Sequence, residues 1–295
     1  MLTMQHVETY IRQKPIVKDI TFTIAPGSIV GLIGPNGAGK TTLMKTILGL
    51  TKFSGTIQIA QAPVTETDHR ALRRVGALIE HPAIYPFLTG LQNLELYSQD
   101  PTDRQQLITT LEMDGYIRQK AKGYSLGMKQ KLGIAIAFLN HPQLIILDEP
   151  MNGLDVEATI GVRQLIHQYA AQGTAFLISS HILSELQRVM TQVILINHGQ
   201  LIVNQPLDQF NQLHHQNYQF RTTAPQQTRQ LLETQRMSFT THQSYFSVRR
   251  ETIFALQDLL ATHHIYLEEL APVERNLEQT VVAILAQQRE AAHEN

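Results

Sequence analysis

Apolar and polar positions alternate over residues 2 to 9 and again over 16 to 24, the period of half-buried β-strands, with the polar stretch Arg12-Gln13-Lys14-Pro15 between them. The spacing predicts an antiparallel lead-in. Ile29-Val30-Gly31-Leu32-Ile33 is apolar throughout, as expected of a strand covered on both faces, and Leu43 to Leu48 then takes up helical spacing. Gly55-Thr56-Ile57-Gln58-Ile59 and Val75 to Ile79 read as further strands. Between about 89 and 140 the period changes: Leu91, Leu94, Leu96 and Tyr97, then Leu107, Ile108 and Leu111, keep helical spacing, which predicts a mainly helical insertion. Strand-like runs return at 144–147, 175–178 and 193–196, with helices at about 156–171 and 182–189 between them. Such alternation predicts a mostly parallel sheet covered by helices.

Near Gln205-Pro206 the pattern shifts again. Strands at Tyr218 to Thr222, Tyr245 to Val248 and Ile265 to Leu270 alternate with a helix opened by Pro225 and one at about 252–262, and a terminal helix runs from about 275 to 287. This reads as a small βαβαβ unit. The expected division is therefore 1–205 and 206–295, with the helical subdomain at about 81–140.

A chain of 295 residues, 43% apolar, supports one good-sized α/β domain and a smaller one. With 24 basic and 25 acidic residues scattered along it, the near-neutral balance argues against a nucleic-acid partner. No cysteine is present, so thiol chemistry is excluded. The longest apolar runs, such as Ile134 to Leu139, fall far short of the roughly 18 residues of a membrane span, and the first residues lack a secretory pattern. Any membrane work is expected to use a borrowed anchor.

Two stretches carry chemistry on their own. In Gly34-Pro35-Asn36-Gly37-Ala38-Gly39-Lys40-Thr41-Thr42, between a strand and a helix, the glycines let backbone N–H groups turn inward and the helix offers its positive end to the same anion. Lys40 is expected to reach outer phosphates, and Thr41 to ligate magnesium through its hydroxyl. The apolar run Leu144 to Leu147 ends in Asp148-Glu149-Pro150. Carboxylates at a strand end beside a phosphate loop suit a metal for Asp148 and an attacking water for Glu149. Ser125 reads as an N-cap and Gly127 as a point of close backbone approach, ahead of a helix over 132–139. The pairs His214-His215 and His263-His264 lack neighbouring ligands and read as solvated surface.

Taken together in order, these stretches resemble the ATP-binding subunit of ABC transporters over residues 1 to about 204. Gly34 to Thr42 is similar to the Walker A loop, Tyr124 to Met128 to the signature, Leu144 to Glu149 to Walker B, Gly153-Leu154-Asp155 to the D-loop, His181 to the switch histidine, and Tyr10 to the aromatic that stacks on adenine. In the signature Leu126 and Met128 depart from the usual glycine and glutamine. The resemblance implies a P-loop NTPase cassette, α/β, with a mixed sheet core, the antiparallel lead-in and helical subdomain, plus a small α+β C-terminal domain. It implies ATP and magnesium as ligands, and a head-to-tail dimer in which Ser125 and Gly127 of one subunit complete the other's site. His181 would reach the γ-phosphate. An integral-membrane permease subunit is the implied partner, with the cassette on the cytoplasmic face of the plasma membrane.

Glu80 departs from the family in an informative way. It stands where most such ATPases carry a glutamine, nine residues before Thr89, and as a carboxylate it offers magnesium a charged oxygen. The setting Ile79-Glu80-His81-Pro82-Ala83-Ile84-Tyr85 resembles the subgroup that protects bacteria against lantibiotics and bacitracin-like peptides. The expected function is a transport ATPase that exports or detaches such a peptide. The alternatives are an ABC ATPase for another substrate, a soluble cassette acting on DNA or ribosomes, and a binding module without catalysis. The last fits poorly with Lys40, Asp148, Glu149 and His181 all present.

Overall fold

The computed structural model describes residues 1–214, 217–242, 244–273 and 277–293. The chain divides into two compact units, Met1–Leu207 and Asp208–Asn295.

The first unit opens with the antiparallel pair β1 (Leu2–Ile11) and β2 (Lys14–Ile24), followed by β3 (Ile29–Ile33), whose five residues are all buried. After the phosphate loop come α1 (Lys40–Ile47), β4 (Phe53–Ile59), the short β5 (Ala62–Pro63) and β6 (Val75–Leu78). The helical insertion holds α2 (Gly90–Glu95), α3 (Pro101–Thr110) and α4 (Leu126–Phe138). Each starts where a side chain takes up free amide hydrogens: Thr89 in a capping box with Gln92, Asp100 ahead of Pro101, and Ser125 on the amide of Met128. Then follow β7 (Leu144–Asp148), α5 (Val156–Ala171), β8 (Ala175–Ser179), α6 (Leu183–Gln187), β9 (Gln192–Asn197) and β10 (Gln200–Pro206).

These strands form two sheets, an antiparallel one in the order β2-β1-β4-β5 and a six-stranded one in the order β10-β9-β3-β8-β7-β6. In the larger sheet β9, β3, β8, β7 and β6 are parallel neighbours, and only β10 runs antiparallel, against β9. Leu43, Met44 and Ile47 of α1 share one buried cluster with Leu2 and Met4 of β1, Leu32 of β3 and Leu144 and Ile146 of β7. The phosphate-loop helix is thus wedged between the sheets, and each such side chain contributes roughly 1.5–3 kcal/mol by leaving water.

The break near Gln205-Pro206 falls inside β10, which sequence patterning misses because an edge strand needs no clean alternation. Its turn matters to the site. Gly199 donates its N–H to the Ala38 carbonyl at 3.0 Å and accepts from the amide of Lys18 at 2.8 Å, so the hairpin clips β2 to the phosphate loop.

The second unit follows the start of α7 (Leu207–His214) and contains β11 (Asn217–Thr222), α8 (Pro225–Thr234), β12 (Thr240–His242), β13 (Tyr245–Arg249), α9 (Ile253–Thr262), β14 (Leu267–Pro272) and α10 (Leu277–His293). The extra strand β12 corrects the expected βαβαβ order to βαββαβ. The sheet runs β12-β13-β11-β14 with every pair antiparallel, the ferredoxin-like arrangement. The three residues of β12 are too few for periodicity to announce. Phe220, Leu232, Phe246, Leu256 and Leu260 form its core. His263 and His264 are exposed, as expected of surface residues. His215 and the expected helix start at 275–276 lie outside the described residues.

Candidate functional site

Strand order brings the chemistry to one edge of the larger sheet. β3 leads into the phosphate loop, β7 ends at Asp148, and β8 lies between them with Ser179 in register with both Leu32 and Asp148. All three carboxyl ends therefore open on the same side, where parallel sheets gather their ligands.

Gly39 begins α1 at φ +105°, a conformation that strains any residue with a side chain. Unlike α2 to α5, α1 has no side-chain cap, and its first turn holds no acid, so its leading amides and positive helix end are left for an external anion. Lys40 Nζ is folded back over the loop, donating to the carbonyls of Gly34 at 2.7 Å and Pro35 at 3.2 Å. Burial holds this ammonium's pKa below its ordinary value, against the pull of Glu149 and Asp148. A phosphate compensates such a charge where water does not.

Thr41 donates its hydroxyl to Asp148 Oδ2 at 2.8 Å, and Ser179 donates to the other oxygen of the same carboxylate. These hard oxygen donors suit magnesium, and fit the group the phosphate loop implies. Glu149 turns out of the strand at φ +53°, and its Oε2 accepts from both the amide of His181 at 3.0 Å and His181 Nδ1 at 2.6 Å. A carboxylate only accepts, so Nδ1 carries the proton. The result is an acid held by a histidine next to a cation. Asn36, Gly37, Gly39, Lys40, Thr41, Thr42, Asp148 and Glu149, with Ile16, line one cavity of about 390 Å³.

The other expected residues fall elsewhere. Gly34 and Ala38 shape the loop without lining the cavity. Tyr10 pairs with Pro15 across β1 and β2, next to the lining residue Ile16; it is 52% exposed, and its hydroxyl donates to Glu8. Ser125 is spent on capping α4, Asp155 caps α5 by accepting from Ala158 N at 2.8 Å, and neither they nor Gly127 line the cavity of their own chain. A Cβ at Gly127 would meet the Gly153 carbonyl oxygen at 2.8 Å, so the close approach expected there is made within the chain, to the loop beyond Glu149. Glu80 is not at the metal-type oxygens either. Its carboxylate is ion-paired with Lys45 of α1 at 2.8 Å, and its backbone is left-handed at φ +62°.

Four contributors were not expected from the sequence: Ser179, Gly199, Lys45 and Gln130. Gln130 is the most legible in retrospect, a polar residue where α4 turns apolar.

A sequence model described as ABC transporter matches residues 17–152. The uncharacterized ABC transporter ATP-binding protein YhcH of Bacillus subtilis is 31% identical over 98% of this chain and 97% of its own length. The chain belongs to the ABC transporter ATP-binding proteins. The lantibiotic transport ATP-binding protein SrtF of Streptococcus pyogenes is 35% identical over 70% of the chain and 92% of its own, and the bacitracin transport ATP-binding protein BcrA of Enterococcus faecalis 33% identical over 85% and 81%. Among solved structures, an ATP-binding subunit of an ABC transporter superposes with a TM-score of 0.68 at 28% identity, covering 72% of this chain and 92% of that one. A dimeric bacterial ABC transporter cassette, MJ0796, gives 0.64 at 22% identity over 70% and 99%. This ABC subunit is accordingly an ATPase with the cassette fold. Among the described residues no helix is long and apolar enough to cross a membrane.

Proposed function

We propose that this protein is the ATP-hydrolysing subunit of a transporter that exports or detaches a peptide antibiotic of the lantibiotic or bacitracin type. It works as a dimer with a separate integral-membrane permease, and sits on the cytoplasmic face of the plasma membrane through that partner. The observation that carries the reading is the convergence of Lys40, Thr41, Asp148 and Glu149 on one cavity, with Glu149 held by His181.

In this mechanism Lys40 leaves the loop carbonyls for the outer phosphates, and the α1 amides hold the same oxygens. Thr41 and Asp148 would hold magnesium, which when bound would neutralise phosphate charge. Glu149 accepts the proton of the attacking water, while His181 keeps the carboxylate aimed and offers its ring to the γ-phosphate. Tyr10 stacks on adenine. Because Ser125, Gly127 and Asp155 stand apart from their own chain's cavity, they serve the site of the second subunit. Glu80 would be a further ligand for that metal on leaving Lys45, which stands one helical turn beyond Thr41.

The antibiotic reading is supported by SrtF and BcrA among the relatives and by the Glu80 setting. Tyr85 and Phe87, 46% and 67% exposed with rings edge to face at 5.8 Å, offer an apolar patch for the permease, whereas Ile84 and Leu88 are half-buried. The C-terminal unit is assigned a regulatory or dimer-supporting role.

Two measurements test this. Phosphate release should be abolished by Glu149→Gln while ATP and magnesium convert that variant to a stable dimer; a fully active, monomeric Glu149→Gln protein refutes the mechanism. Removal of the gene should sensitise cells to bacitracin or to a lantibiotic, and unchanged sensitivity to both refutes the substrate class.

A further inference from the structure

The mechanism above leaves the buried side chain of Gln130 without a task. Only 7% exposed, it lies on α4, five residues beyond Ser125. Its Nε2 donates to two successive carbonyls, Glu149 O at 3.1 Å and Pro150 O at 3.0 Å. Both partners are acceptors, so the amide nitrogen must face them. On the other side of the same residue, Glu149 N–H is directed to the carbonyl and the hydroxyl of Ser179, each at 3.2 Å. The peptide units flanking Glu149 are therefore tied to β8 on one side and to α4 on the other. Between these ties Glu149 keeps φ +53°, a left-handed conformation that a non-glycine residue holds only where its surroundings impose it. Packing reinforces the tie: Gly127 approaches the Gly153 carbonyl, and Leu126 covers the face of Gly153 where a Cβ would stand.

We propose that Gln130 is a positioning residue for ATP hydrolysis, holding Glu149 in the left-handed turn that aims its carboxylate at His181 and the cavity. It touches neither substrate nor metal. Its two hydrogen bonds make the aim of Glu149 depend on where α4 stands, and α4 is the helix whose first turn carries Ser125. The inference rests on the reading of Glu149 as the group that accepts the proton from water.

The test compares Gln130→Met, which keeps the volume and removes both donors, with Gln130→Glu and with Glu149→Gln in the full-length protein. For Gln130→Met, kcat should fall by about 10- to 100-fold, the loss expected when a reacting group is misplaced by an ångström or less. KM and the affinity for a fluorescent ATP analogue should stay within about twofold of the parent's. Gln130→Glu supplies a second route should methionine pack badly. Buried against two carbonyls, its carboxyl stays protonated and donates one bond, so it should retain more activity than Gln130→Met near pH 6 and lose that advantage as the pH rises and the carboxyl ionises. Unchanged kcat in a folded Gln130→Met protein overturns the proposal, as do parallel losses of kcat and nucleotide affinity, or equal activity of the two variants at every pH. Full activity of Glu149→Gln overturns the assignment of Glu149 instead, and the proposal with it.

Discussion

The cassette and the C-terminal unit each carry an open cavity beside a helix-covered sheet, about 390 Å³ at the phosphate loop and about 460 Å³ near the start of α8. The larger one is lined by Gln226, Arg229, Ser244 and Tyr245 among others, and among its described lining residues Arg229 is the one cation and none carries a carboxylate. The smaller one gathers Lys40, Asp148, Glu149, the hydroxyl of Thr41 and an uncapped helix end. The difference follows from the sheets. Parallel strands β3, β8 and β7 finish at one edge, so their loops meet there, whereas the all-antiparallel sheet of the second unit sends successive strand ends to opposite edges. Volume alone does not make a site; convergent chemistry does.

If chemistry is confined to the cassette, substitutions in the two units should separate cleanly. Lys40→Ala, which removes the cation for the outer phosphates, should lower turnover by about 100- to 1,000-fold, read as phosphate release. Phe220→Ala, in the core of the second unit, should cost about 3–5 kcal/mol of that unit's stability, read as a separate unfolding transition, while ATP affinity stays within about twofold. A matching loss of ATP binding would show that the two units are not separable. The smallest effect is expected from Lys45→Met. Its partner Glu80 is 55% exposed, and such pairs are worth about 0.2–1 kcal/mol, so magnesium-dependent ATP affinity should shift by no more than about fivefold. The shift should be toward tighter binding, because the freed carboxylate no longer has to leave a cation. Weaker binding would count against the passage of Glu80 from Lys45 to the metal.

Sequence patterning located nearly every cassette strand because continuous apolar runs such as 29–33, 144–147 and 175–178 mark strands buried on both faces. It missed β5, β10 and β12, a two-residue strand, an edge strand and a three-residue strand, where length or burial leaves too weak a period. The phosphate loop and the Asp148-Glu149 pair were legible because their spacing along the chain is itself the chemistry. Glu80 was not. Its residue type suggested a metal ligand, but the carboxylate sits on Lys45, thirty-five positions away in sequence and adjacent in space.

From residue order alone came the cradle and the acids at a strand end, since each is local and carries its chemistry in a fixed spacing; Ser125 as a signature serine and His181 as a switch histidine came from the resemblance to the ABC cassettes. Tertiary structure alone decided that Ser179 and Thr41 share the carboxylate of Asp148, that His181 holds Glu149, that Gly199 clips the loop to β2, and that Gln130 ties Glu149 to α4. The physical reason is that these contacts join side chains and carbonyls from separate elements whose approach depends on strand order and helix packing, and neither leaves a period in the chain.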